Sequence, residues 1–364
     1  MILKIIMLVV FFAIMIGVGF YSRKQATDVN GFVLGGRSVG PWLTAFAYGT
    51  SYFSAVIFVG YAGQFGWKYG IASTWIGIGN AVLGSLIAWA VLGRRTRLIT
   101  QKLDSRTMPE FFERRYNSRS LKLVSSLIIF VFLIPYTASL YNGLSRLFGM
   151  AFEIDYKVCV IAMAVLTGIY VIVGGYMATA INDFIQGIIM LFGIVVVIAA
   201  VLKNYGGLTG ALDKLANVND PAVSSTPGVF ASFLGPDIFN LVCVVILTSL
   251  GTWGLPQMVQ KFYAIKDEKS IKTGTVVSTI FAVIVAGGCY FLGGFGRLTD
   301  TDVAAEGFDA IIPHLLECLP PILIGLVVIL VLSASMSTLS SLVLTSSSTL
   351  TIDFIKGTIV PKMS

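Results

Sequence analysis

Charge is scarce in this chain. Only 12% of its 364 residues are Asp, Glu, Lys or Arg, against 56% hydrophobic, and mean hydropathy is +0.87. A soluble domain carries roughly twice that charged fraction, so the composition excludes one. Histidine is scarcer still. His314 stands alone, which leaves no room for a histidine-based metal or catalytic cluster. The four cysteines, Cys159, Cys243, Cys289 and Cys318, lack the paired spacing of a zinc site or a disulfide framework. No Gly-x-x-x-x-Gly-Lys-Ser/Thr loop occurs, so ATP-driven pumping has no support. Acids are nearly absent from the apolar stretches, whereas an enzyme needs a convergent nucleophile, base or metal set.

What the chain does have is long apolar runs. A helix needs about 20 mostly apolar residues to cross a bilayer. Nine candidate spans fit, at approximately 2–21, 40–65, 71–93, 121–148, 157–175, 178–202, 238–260, 273–296 and 320–346. The first has no small-residue cleavage site after a short apolar core, and Tyr21-Ser22-Arg23-Lys24 follows directly. It reads as a retained span rather than a signal peptide.

The loops alternate in charge. Arg23, Lys24 and Arg37 follow span one. Nine basic residues between Arg94 and Lys122 follow span three. Lys261, Lys266, Lys269 and Lys272 follow span seven. All fall on one side of a nine-span chain, which the positive-inside rule makes the cytoplasm. Asp300, Asp302, Glu306, Asp309 and Glu317 lie on the other side. The N-terminus is therefore expected outside, and the segment after Thr351 inside. The basic loop 94–122 could bind nucleic acid or anionic lipid. Its simpler reading is a topology determinant on the inner leaflet, and no nucleic-acid partner is expected.

Two spans are interrupted near mid-membrane. One contains Tyr48-Gly49-Thr50-Ser51-Tyr52, the other Ser249-Leu250-Gly251-Thr252-Trp253-Gly254-Leu255-Pro256. Glycine weakens a helix, and proline removes a donor and clashes with the preceding turn. Freed carbonyls at that depth need a ligand or water. Paired breaks five helices apart are the sequence pointer to a transporter built from an inverted repeat. Singly, each could be an ordinary packing kink. The last span carries a third feature, a hydroxyl-rich run over 333–349. On helical spacing Ala334, Ser337, Thr338, Ser341, Thr345 and Ser348 share one face. Neutral oxygens without a carboxylate resemble half of a site for a hard monovalent cation.

Several segments look familiar. Phe32 to Gly40, with Leu34-Gly35-Gly36-Arg37-Ser38, resembles the stretch preceding the first core helix of the sodium:solute symporter family, and Ser54 to Gly60 resembles that helix. Tyr170 to Tyr176, then Asn182-Asp183 to Gln186, resembles the junction of its fourth and fifth. Gln257 to Lys261 resembles the end of its sixth, and Ala334 to Ser340 its eighth. Five motifs in order across the chain make the match specific.

The resemblance implies an all-α polytopic membrane protein of the LeuT type, an inverted-repeat fold with an extra N-terminal helix. It implies sodium-coupled symport of a small organic solute by alternating access across the cell (plasma) membrane, with no cofactor and Na+ as coupling ion. The family's sodium ligands carry over to the backbone carbonyls of Thr50, Phe53 and Ala334 and the hydroxyls of Ser337 and Thr338. The alternative for the two hydroxyls is helix–helix hydrogen bonding. Ser340, Ser341 and the 345–349 cluster read as packing. Asp183 matches an aspartate on the family's inward ion exit route, and an interfacial acid paired with a nearby Lys or Arg is the alternative.

The solute site is expected beside the breaks, at Tyr52, Ser54 and Ile57 and at Trp253, Pro256 and Gln257, with Gln64 and residues 136–139 as outlying candidates. The family's sugar carriers place a glutamine and an asparagine where Ile57 and Pro256 stand, and a sugar's buried hydroxyls would need those partners. The Gly254-Leu255-Pro256-Gln257 pattern looks more like the proline and pantothenate branches, although proline carriers place an aspartate at the position of Tyr52. The expected solute is an amino acid or organic acid; a sugar or another solute, or a sensory role for a symporter-like membrane module, are the alternatives. The expected division of one transporter domain is 1–39 (leading helix and loop), 40–202 (first five-helix repeat) and 203–364 (second repeat). With ten core helices in the repeat pair, the chain reads as truncated after core helix eight.

Overall fold

Inside a bilayer every backbone polar group must be satisfied within its own segment, which for runs this apolar selects the helix. The computed structural model describes residues 2–152 and 155–359. Among them no β-strand forms. Six helical stretches are long and apolar enough to cross a membrane: Leu3–Gln25, Val56–Lys102, Arg119–Tyr141, Val160–Asn204, Glu268–Leu298 and Pro321–Gly357. The nine expected spans map onto these six plus the broken helices.

Helix α1 (Ile2–Ser22) lies along α7 (Tyr156–Asn204). Helix α2 (Pro41–Tyr52) starts with a proline in its first turn, where the ring presets φ and the missing N–H is not needed. The expected break at Tyr48–Tyr52 is helical throughout; α2 unwinds only past it, at Phe53, whose backbone is extended (φ −110°, ψ 119°). The chain re-enters helix through a π turn, Val56–Tyr61, into α3 (Ala62–Tyr69). Helices α4 (Thr74–Gly79) and α5 (Arg94–Lys102) are joined by two further π segments into one rod. Helix α6 (Arg119–Phe152) follows.

Helix α7 holds spans five and six together. Its corner is Gly175, at φ 56°. L-residues avoid that region, and a Cβ there would stand 2.8 Å from the carbonyl oxygen of Phe32. Span seven is two pieces, α8 (Ile238–Leu250) and α9 (Pro256–Ala264), divided by a turn over 251–255. Helix α10 (Glu268–Gly293) packs on α2 and α4. Glycines set one of its contacts. A methyl on Gly66 of α3 would strike the carbonyl of Gly293, and one on Gly293 would strike that of Ala62. The two backbones touch there, as small residues permit in membrane bundles. Helix α11 (Pro321–Ser348) packs along α7 and is buried from Val327 to Leu342.

Three expectations shift. The tail after Thr351, read as a cytoplasmic segment, continues α11 as a π helix, Thr349–Ile359, against the start of α6; 360–364 lie outside the described residues. Lys261, assigned to the loop after span seven, sits fully buried on α9, whose residues 257–264 are all buried. The basic loop residues do more than mark a side. Arg37 donates to the carbonyls of Ser105 (2.7 Å), Tyr263 (3.3 Å) and Thr100 (3.4 Å). Arg97 donates to those of Ile265 (3.0 Å) and Lys266 (2.5 Å), and Arg119 to Gly357 (2.6 Å).

Candidate functional site

The unwound end of α2 leaves carbonyls with no intrahelical partner. Helix α11 passes directly opposite. The Ser337 hydroxyl lies 3.2 Å from the Thr50 carbonyl oxygen and 3.1 Å from that of Ala334. The Thr338 hydroxyl lies 3.1 Å from the Ala334 carbonyl, 3.4 Å from that of Phe53 and 3.5 Å from that of Thr50. All five residues are buried. The five oxygens the sequence singled out thus converge, and the two hydroxyl protons have more acceptors than they can serve. Such a niche suits a hard monovalent cation: if the two hydroxyls turn their protons outward, five lone pairs face one point. The oxygens are three main-chain carbonyls and two hydroxyls, so the niche itself is neutral.

Its nearest full charges lie on one flank. Ser51 Oγ is 2.9 Å from Ser341 Oγ, which accepts from Lys261 Nζ at 2.9 Å. Lys261 Nζ is also 3.5 Å from Asp183 Oδ2, with the two side chains 2% and 0% exposed. The Tyr176 ring lies 5.2 Å from the ammonium. Asp183 is therefore buried and paired with a lysine, the pairing its alternative reading expected. It sits about two turns beyond the Gly175 corner, and its Oδ1 has no hydrogen-bond partner. Ser341 is part of this relay rather than inert packing, while Ser340 bonds back to the Ser337 carbonyl.

Beside both breaks opens a cavity of 350 Å³, within the range of small-molecule sites. Tyr52, Ser54 and Ile57 line it, together with Tyr136 and Ser139 of α6. Trp253, Pro256 and Gln257 do not. The Trp253 indole donates across to the Leu83 carbonyl (3.0 Å), Pro256 faces a small void on the other side of α9, and Gln257 is buried with both amide atoms unpartnered. From the second break the wall is instead Gly251, Thr252 and Leu255, and Asn80, Thr248 and Tyr290 complete the polar lining. The hydroxyls of Thr248 (3.1 Å) and Ser249 (3.0 Å) reach Asn80 Oδ1, tying α8 to the rod of α4 and α5. Asn80 carried a signal that sequence reading passed over: an amide inside an otherwise apolar span. Among the described residues, no Lys, Arg, Asp or Glu lines this cavity.

Two interrupted helices, one facing an oxygen niche and both bordering a cavity, define a LeuT-type, multi-pass membrane protein. A solved structure of a Na+-coupled sialic acid symporter, substrate-bound and outward-open, shares this fold with a TM-score of 0.78, covering 99% of this chain and 75% of that one at 18% identity. Residues 32–364 match the profile of the sodium:solute symporter family. Sodium/proline symporters of Staphylococcus aureus strains JH9 and NCTC 8325 / PS 47 are each 33% identical over 96% of this chain and 68% of their own length. The chain belongs to the sodium:solute symporter family. These relatives are transporters, not enzymes.

Proposed function

We propose that this protein is a sodium-coupled symporter that carries a small amino acid or organic acid across the cell membrane by alternating access. The observation that carries the reading is the convergence of the Thr50, Phe53 and Ala334 carbonyls with the Ser337 and Thr338 hydroxyls at a helix break. Sodium occupies that niche in this reading, one wall away from the solute. The solute lies in the 350 Å³ cavity, against Tyr52, Ser54, Asn80 and Thr248. A carboxylate needs donors there, and no cationic side chain among the described residues lines the cavity. The helix restarting at Ala55 supplies them, because the first amides of a helix have no internal partner and sit at its positive end. Proline is one solute of this class and is the one named for the relatives at 33% identity. Asp183 lies on the ion's inward route, and Gln257 acts in a state where its amide finds a partner. The N-terminus is outside and the arginine-rich face is cytoplasmic; repeats 40–202 and 203–364 supply one broken helix each.

The test is uptake by the full-length protein in proteoliposomes, with and without an inward sodium gradient. It is preceded by a thermal-shift screen of amino acids and organic acids. Stabilisation by one solute only when sodium is present identifies the pair through linkage. Equal uptake with choline in place of sodium would overturn the coupling.

A further inference from the structure

The hydroxyl face of α11 does not end at the niche. Thr338, Ser341, Thr345, Thr349 and Asp353 follow one another at intervals of three or four residues, so they stack on one face. Ser341 is engaged by Lys261 and Ser51, and Thr345 donates to Gln260 Oε1 at 2.6 Å. Below them is a void of 10 Å³, lined among others by Thr107, Gln260, Thr345, Ser348 and Thr349. That volume holds about one water-sized sphere, and its polar lining is neutral oxygen and amide. Ser348 also borders an open groove of 560 Å³ beside Asp28 and Thr351, so one residue separates the void from that groove.

Asp353 stands one turn beyond Thr349. Its side chain is 0% exposed, and neither carboxylate oxygen has a hydrogen-bond partner. A carboxylate so placed calls for a compensating charge. The groups facing it do not supply enough. Thr107 is the nearby hydroxyl, and Glu110 and Glu113 add negative charge. Lys122 Nζ is 3.8 Å from Asp353 Oδ1, but its short contact, 2.8 Å, goes to Glu113. Arg114 is taken by Glu110 at 2.7 Å. Asp353 is thus a buried acid with no short ionic contact among the described residues, one turn beyond Thr349, which lines the void at the end of the hydroxyl face.

We propose that the void above Asp353, lined by Thr107, Gln260, Thr345, Ser348 and Thr349, is a second binding station for a monovalent cation, on its way out to the arginine-rich face. The station is distinct from the niche at Ser337 and Thr338, and its role as a release step rests on the symport reading. Neutral oxygens hold the ion, and Asp353 supplies the balancing charge without closing the exit. Sodium passing the Asp183–Lys261 pair would pause here before entering the groove.

The experiment uses Ser348→Cys in the full-length protein, labelled with a small methanethiosulfonate from the arginine-rich face and read at that peptide by mass spectrometry. Sodium in place of choline should slow labelling severalfold. Adding Ser337→Ala should leave this protection intact, and adding Asp353→Asn should remove it, while Asp353→Glu keeps it. A sodium-dependent thermal shift, retained in Asp353→Asn, certifies that variant's folding and its intact upper niche. Protection lost equally in the Ser337→Ala background would place its origin at the upper niche and overturn the station. Absent protection in a protein that sodium still stabilises would sink the station and spare the symport reading. Absent stabilisation by sodium would sink that reading instead, while protection could still be scored on its own.

Discussion

Lys261 and Asp183 invite the sharpest perturbation, because both charges are buried and each is the other's only ionic partner within 4.0 Å among the described residues. At 3.5 Å, with an effective dielectric of about 20, their attraction is roughly 5 kcal/mol. Desolvating two ions costs several kcal/mol each, so the pair as a whole contributes little net stability. Removing one member is another matter. Lys261→Met keeps the side chain's length but strands a carboxylate beside Tyr170 and Tyr176, and it removes the 2.9 Å donor to Ser341. The expected loss is about 3–5 kcal/mol. Asp183→Asn strands the ammonium and should lose a similar amount. The double variant should fall well short of the sum, with a coupling of about 2–4 kcal/mol. The assay is a four-member denaturation cycle in mixed micelles, followed by tryptophan fluorescence. Additivity to within about 0.5 kcal/mol would refute the pair as an interacting unit and leave Lys261 a buried donor to Ser341 alone.

Other expectations follow from the same geometry. Ser337→Ala removes one of five candidate ion ligands; a lost contact to a charge is worth about 1.5–3 kcal/mol, so the sodium concentration for half-maximal stabilisation should rise by roughly ten- to a hundredfold, and an unchanged value would reject the assignment. Gly66→Ala sets a methyl against the Gly293 carbonyl and should destabilise by about 1–3 kcal/mol, measured by thermal unfolding, whereas Gly17→Ala, with open space around it, should not. Asn80→Ala releases the Thr248 and Ser249 hydroxyls and should shrink the solute-dependent thermal shift while leaving the sodium-only shift in place.

The existence of two breaks and the hydroxyls of the oxygen niche were legible because they depend on local chemistry, although the first break falls a few residues later than expected. Pro256 bounds the interruption it helps create, whereas Gly49 lies within α2, which stays helical to Tyr52; Ser337 and Thr338 are hydroxyls in a span where an apolar residue would be the default. The solute wall was harder. Trp253, Pro256 and Gln257 lie next to the break in sequence, but the turn over 251–255 points Thr252 and Leu255 at the cavity and carries Trp253 across to Leu83. A turn's facing depends on its dihedrals, which residue type alone does not fix. Lys261 was hidden for a different reason. A lysine at the end of an apolar run reads as a loop charge, and only the continuation of α9 to Ala264, together with an acid 78 residues earlier, makes it a buried one.

The arginines of the basic face also carry a consequence for how this protein can change over evolutionary time. Arg37 and Arg97 grip main-chain carbonyls, not side chains. Every residue type offers that carbonyl, so Thr100, Ser105, Tyr263, Ile265 and Lys266 are free to drift without loosening the grip. All the constraint falls on the donor. Lysine would preserve the charge, yet its single ammonium cannot fork to carbonyls on separate segments. Arginine-to-lysine exchange at positions 37 and 97 therefore separates two inheritances that coincide in one residue: the positive charge, and the clasp that holds that face together.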